Sequence, residues 1–162
     1  MHLIAASTLA LAFIAVPADA QAQLSSVDRA AAFRAAGFKQ VSGQWRACDA
    51  PRGSVYEPGK IEEIRDLNGD GRPEAIITEG SSFCYGGDEV GFVIVSKQAN
   101  STWKLIVGSE GIANVLKEKG TRGWPDIEIA GQGFCFPVQR WNGKEYRTVR
   151  FQYQGKACRR PR

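Results

Sequence analysis

The chain carries one histidine, His2, and it lies in an N-terminal stretch that reads as a removable leader. Without that leader there is no imidazole at all. This excludes Ser-His-Asp and Cys-His catalysis, zinc held by histidine and a histidine pH switch. The four cysteines contain no C-x₂₋₄-C pair, so a Cys₄ zinc site lacks its usual spacing. No apolar run reaches the ~20 residues that a membrane-spanning helix needs. No basic stripe carries regularly interleaved aromatic residues, so no nucleic-acid partner is expected.

What is present begins with Leu3 to Val16, an apolar, Ala/Leu-rich run followed by Pro17-Ala18-Asp19-Ala20. Small residues at −3 and −1 mark a secretory signal, residues 1–20, cleaved after Ala20 or after Ala22. No cysteine follows, which argues against a lipid anchor. Removing 20 of 162 residues leaves 142, which suits a single domain, 21–162. The expected location is periplasmic or secreted. An even number of cysteines in an exported chain implies two disulfides among Cys48, Cys84, Cys135 and Cys158. The formal charge of +4 rises to +5 once Asp19 leaves with the signal. From Glu57 to Glu89 there are nine acids against three bases. From Trp103 to Arg162 there are twelve bases against five acids, ending in a basic tail. That tail reads as a solvated face.

Ser25-Ser26-Val27-Asp28 opens the one clear helix, about 26–36, with a serine cap and Gly37 as its stop. Val27, Ala31, Phe33 and Phe38 are expected to dock it. Beyond Gln40 the pattern is of strands: Trp45 to Cys48, Ile61 to Leu67, Ala75 to Thr78, Gly91 to Ser96, Trp103 to Val107, Asp126 to Ala130, Pro137 to Trp141 and Lys144 to Tyr153. Ile112 to Lys119 suits either a short helix or a strand. Asn142-Gly143 predicts a type I′ hairpin, with Val149, Phe151 and Tyr153 on one face. Phe83-Cys84 and Phe134-Cys135 each fall between strands of a faint pseudo-repeat. Two antiparallel units with one helix predict a mainly β, α+β fold, blade-like or sandwich-like. If equivalent cysteines meet, the pairing is Cys84–Cys135, leaving Cys48–Cys158.

The segment Asp66-Leu67-Asn68-Gly69-Asp70-Gly71-Arg72-Pro73-Glu74 is the most informative. Counting Asp66 as position 1, side-chain oxygens fall at 1, 3, 5 and 9 (Asp66, Asn68, Asp70 and Glu74), with the Arg72 carbonyl at 7 and Gly71 at the tight turn. Three carboxylates, an amide oxygen, a carbonyl and water reach the six to eight oxygens that Ca²⁺ prefers. An EF-hand needs an acid at position 12, and Ile77 stands there. The segment instead resembles the cation loop of FG-GAP and VCBS-type repeats, D-x-[DN]-x-D-G-x-x-[DE], which joins two strands of a propeller blade. The resemblance covers Asp66 to Ile77 closely and implies a structural Ca²⁺ held by Asp66, Asn68, Asp70, the Arg72 carbonyl and Glu74. The chain has only one such loop and too few strands for a closed propeller.

Glu79, Asp88 and Glu89 flank the Gly-rich segment around Cys84, and paired carboxylates are the machinery of glycoside hydrolysis. Trp124, Phe134, Phe136 and Trp141 suit either a carbohydrate or peptide groove or an aromatic core. The expected function is a non-catalytic, calcium-stabilised binding module, monomeric, with a protein or glycan partner. The alternatives are an inhibitor of a secreted hydrolase such as a lysozyme, and a carboxylate-based hydrolase.

Overall fold

The computed structural model describes residues 24–159. The expected signal segment, with residues 21–23, and the last three residues of the basic tail lie outside that range. The fold is mainly β. Helix α1 (Ser26–Ala35) is followed by a small hairpin, β1 (Lys39–Val41) and β2 (Gln44–Arg46). Two antiparallel meanders follow. The first is β3 (Glu57–Arg65), β4 (Glu74–Gly80), β5 (Val90–Lys97) and β6 (Trp103–Glu110), paired in chain order. The second is β7 (Ile112–Lys119), β8 (Pro125–Ala130), β9 (Phe136–Trp141), β10 (Tyr146–Tyr153) and the short β11 (Lys156–Ala157). A one-turn helix, α2 (Ser82–Tyr85), sits between β4 and β5.

Strand alternation divides the core into two layers. Ile76 of β4 and Phe92 and Ile94 of β5 point toward Ile127, Ile129, Trp141 and Tyr146 of the second sheet, with Leu67 and Trp124 closing the layer. The residues between them, Ala75, Ile77 and Val95, face the other way and carry Ala32, Phe33, Phe38 and Trp103. The order is therefore helix, first sheet, second sheet. Side chains alternate sides with period two, so one central strand serves both layers.

The Ser25 hydroxyl caps α1 by accepting from the Asp28 amide, 3.1 Å. At the other end the Phe38 and Gly37 amides donate to Phe33 and Arg34 carbonyls, the paired bonds of a Schellman stop. Of the expected docking residues, Phe33 and Phe38 are buried and Ala31 packs against them, while Val27 is exposed and Ala32 is buried in addition. Asp28 sets this rotation. Its carboxylate accepts from Lys97 Nζ at 2.9 Å and Trp103 Nε1 at 3.2 Å, which turns Val27 outward.

Ile112–Lys119 is a strand, because pairing with β8 supplies the partners its backbone needs. The second sheet thus has two strands, β7 and β8, before Phe134-Cys135, as the first has β3 and β4 before Phe83-Cys84. The Asn142-Gly143 turn is not a two-residue type I′ turn. Trp141 pairs with Tyr146 around four loop residues, and Asn142 Oδ1 accepts from the Lys144 and Glu145 amides at 2.9 and 3.0 Å. A bulge between Thr148 and Arg150 then breaks the alternation, leaving Val149 and Tyr153 exposed and Gln152 buried. Pro137 lies beyond the short β8–β9 ladder, where no bond to β8 is lost.

The expected disulfide pairing is overturned. The bridges are Cys48–Cys84 and Cys135–Cys158. Although the two Phe-Cys loops lie side by side, each cysteine bridges to an extension of its own sheet: Cys48 in the segment before β3, Cys158 just after β11. Non-reducing peptide mapping is expected to recover these two pairs, and a Cys84–Cys135 peptide would contradict the fold.

Candidate functional site

Strand β3 hands over to Asp66 and β4 begins at Glu74, so the predicted cation loop is the turn between them. Asp66 organises it. Its Oδ1 accepts from the amides of Gly69 and Asp70 at 2.8 and 3.1 Å, and its Oδ2 from Gly71 at 2.8 Å. Gly69 and Gly71, at φ 81° and 80°, supply the left-handed backbone this wrapping needs. Asn68 Oδ1 accepts from the Asp70 amide at 2.9 Å. Asp70 Oδ1 accepts from the Arg72 amide at 2.9 Å, and its Oδ2 from the Arg72 guanidinium at 2.6 Å. Glu74 points inward, buried, with Oε2 accepting from the Leu67 amide and Oε1 from the Ser96 hydroxyl, both at 2.7 Å. Burial pushes the Glu74 carboxyl above the usual range. The charges of Asp70 and Asp66 push the same way, against the lowering effect of its two hydrogen bonds.

This loop also ties the two sheets together. Lys119 Nζ donates to the Leu67 carbonyl at 2.7 Å, and a Cβ on Gly123 would fall 2.3 Å from the Asn68 carbonyl oxygen. The donor set is all oxygen and suits a hard cation in kind. Among the described residues, no three His, Cys, Asp or Glu groups are arranged to hold a metal ion as they stand. An ion entering here would have to displace Arg72 from Asp70.

The opposite end of the sheets carries the Phe-Cys loops. Asp88 Oδ1 accepts from the Gln132 amide, and Gln132 Nε2 donates to the Gly87 carbonyl, each at 2.7 Å. Gly131 permits this contact, since a Cβ there would lie 2.4 Å from Asp88 Oδ1. The two loops are therefore interlocked. They present Phe83, 64% exposed, and Phe134, 70% exposed. Phe134 and Phe136 both pack against the Tyr153 ring, with centroids 6.2 and 5.9 Å apart. Trp124 and Trp141 are buried between the sheets, so the aromatic candidates divide between core and surface.

No protein-family model, curated protein or solved structure matches this chain. Its site is read from its own geometry.

The three acids around Cys84 do not form a pair of like groups. Glu79 is 2% exposed, and its oxygens accept from the amides of Ala47 and Cys48 and from the hydroxyls of Tyr56 and Tyr85. Burial, with the Glu79 contact adding to it, pushes both phenols above their ordinary value, so both remain donors. Asp88 is engaged in the loop contact described above. Glu89 is exposed at φ 57°. Sequence reasoning missed Tyr56 and Tyr85, which carry no local pattern. It also missed Asp126, which accepts from Arg140 at 2.8 Å on both oxygens and from Arg150 at 2.7 Å.

Proposed function

We propose that the chain is a non-catalytic binding module of the extracytoplasmic space, stabilised by Ca²⁺, that engages a protein or glycan partner through its aromatic end. One observation carries this reading. Two exposed phenylalanines, each beside a bridged half-cystine, stand on adjacent loops locked by Asp88 and Gln132. Large apolar side chains held rigidly in water lose little entropy on contact, which is what a recognition surface needs. Two disulfides and the lack of a membrane-spanning helix among the described residues are compatible with an exported domain.

The double variant Phe83→Ser/Phe134→Ser is expected to lose the partner that wild type retains from a native envelope or secretome. Its melting should stay within a few degrees of wild type, because both side chains are already solvated. Equal capture by the two proteins would overturn the reading. An inhibitor of a secreted hydrolase is the second reading, favoured by Phe83 on a loop pinned by Cys48–Cys84. It requires a lysozyme-type enzyme to lose activity at near-equimolar protein.

For the metal, Asp66, Asn68, Asp70, the Arg72 carbonyl and Glu74 would hold Ca²⁺ and give this clustered negative charge its counter-ion. Millimolar Ca²⁺, in the range of extracellular modules, is expected to raise the melting temperature by roughly 2–4 °C. Asp70→Ala should remove that rise. Identical melting in Ca²⁺ and in EDTA would sink the proposal.

A further inference from the structure

An open cleft of about 440 Å³ lies at the seam between the two sheets, where β3 ends beside β7. Strand β7 shapes it. Four residue steps of β7, from Val115 to Lys119, pass only two of β8, from Ile127 to Pro125, so β7 bulges away from its partner. Successive side chains of a regular strand point to opposite faces, but here Val115, Leu116 and Lys117 all line the cleft. Leu67 and Pro125, both buried, complete its apolar wall. Arg65, Lys117 and Lys119 line it as well, together with Asp66. Lys119 Nζ is fixed at this wall, because it donates at 2.7 Å to the Leu67 carbonyl. That bond uses one of its three N–H donors and supplies no counter-charge. Neither Lys117 nor Lys119 forms an ion pair among the described residues. Glu118, between them, acts instead on Arg140 of β9. Both oxygens of Asp66 are occupied by loop amides, and Glu63 offsets Arg65 at 2.7 Å. The three cations against these two carboxylates leave the cleft with a surplus positive charge.

We propose that this cleft binds a carboxylate carried on an apolar stem, the chemistry shared by a small organic acid and by the end of a protein chain that finishes in an apolar residue. The carboxylate accepts from the remaining N–H donors of Lys119 and from Lys117, which is exposed and can swing across the mouth. The stem lies against Leu67, Val115, Leu116 and Pro125, whose burial from water supplies the apolar part of the affinity. The volume falls within the range of small-ligand pockets. The Lys119–Leu67 bond and the close approach of Gly123 to the Asn68 carbonyl hold the two walls together, so little has to be ordered on binding. The surplus positive charge suits a monoanion. A phosphate dianion would bring excess negative charge beside Asp66. This inference rests neither on the aromatic-end reading nor on the Ca²⁺ reading, and Phe83→Ser/Phe134→Ser should leave carboxylate binding intact.

The test is an NMR titration of the full chain with sodium hexanoate, hexanamide, Nα-acetyl-leucyl-leucine and inorganic phosphate, in EDTA so that no metal ion carries the carboxylate. Hexanoate is expected to shift the amide signals of Leu67, Val115, Leu116 and Lys117 saturably at millimolar concentration. Hexanamide, its neutral isostere, should bind about tenfold more weakly or not at all, and so should phosphate, which lacks the stem. Affinity for the acetylated dipeptide at or above that of hexanoate assigns the site to a chain end, and lower affinity assigns it to a small organic acid. Lys117→Met keeps the stem of the side chain but not its charge, and should weaken binding about tenfold, as loss of one hydrogen bond to a charged group does. Lys117→Arg should retain binding. Both variants should melt as wild type does, since Lys117 is exposed and outside every ion pair among the described residues. Hexanamide or phosphate binding as well as hexanoate, no saturable shift from either carboxylate, or unchanged affinity in Lys117→Met would each overturn the proposal.

Discussion

Replacing Glu79 with alanine is expected to lower the unfolding free energy by about 4 kcal/mol, a large share of the 5–15 kcal/mol typical of a domain. The carboxylate is 2% exposed and accepts from the Ala47 amide at 2.9 Å, the Cys48 amide at 3.3 Å and two tyrosine hydroxyls. These donors come from the irregular segment after β2, from the approach to β3 and from α2. One side chain of β4 therefore holds three stretches of chain that have little regular structure of their own. Alanine would leave four donors without their acceptor around a position that is 2% exposed, and each buried unsatisfied donor costs about 1–3 kcal/mol. Glutamine keeps one acceptor oxygen and should cost about 2 kcal/mol, since the phenols can turn to the remaining lone pairs. Urea unfolding of the two variants checks this. A loss below about 1 kcal/mol for Glu79→Ala would show that the cluster is not the anchor of this segment.

Asp126→Asn is expected to cost about 3 kcal/mol at pH 7 and much less below pH 3. Asp126 is 0% exposed, on the outer face of β8, with the guanidiniums of Arg140 and Arg150 laid over it from β9 and β10. Burial alone would raise its carboxyl, but hydrogen bonds and charge from the two arginines more than offset this, and it sits below the ordinary carboxylate value. The unfolded chain, with an ordinary aspartate near 3.9, takes up the proton first as pH falls. The stabilisation is therefore fully present above the unfolded value and is lost as pH falls through the lower folded one. Asparagine leaves two guanidiniums facing each other at every pH. The gap between wild type and variant should accordingly close as acid removes the wild-type advantage. Part of each arginine stays in water, which keeps the figure toward the lower end of what a broken buried pair costs. Denaturant midpoints at pH 7 and pH 2.5 test both parts, and a gap that does not change with pH would refute the electrostatic account.

Legibility in the sequence followed the range of the interaction. The cap at Ser25, the stop at Gly37 and the turn at Asp66 to Gly71 were readable because each is made by residues within five positions of one another. The strands were readable from their apolar alternation. Val149 was grouped with Phe151 and Tyr153 because the bulge between Thr148 and Arg150, which shifts the side chains after it to the other face, leaves no dependable mark in composition. Val27 was misplaced because Asp28 bonds to residues some seventy positions away, and those bonds choose the helix face.

The cysteines mark the same boundary. Their even number, in a chain expected from its sequence to be exported, calls for two bridges, and two are present. Which sulfur meets which depended on where the segment before β3 and the strand β11 were carried by the two sheets. The oxygen-rich loop is likewise local, so its donor set and its left-handed glycines were legible. Its contacts with Lys119 and Gly123 were not, and these make it a link between sheets. The amino-acid sequence by itself determined a β-rich chain with one capped helix, two disulfides and one oxygen-rich turn, because short-range hydrogen bonding, side-chain periodicity and cysteine number set those features. Only the tertiary structure decided that Glu79 is an anchor, that Trp124 and Trp141 are core while Phe83 and Phe134 face solvent, and that the Ser81 hydroxyl is buried with no partner among the described residues. Burial and charge pairing across dozens of residues are properties of how the sheets pack, and no local pattern records them.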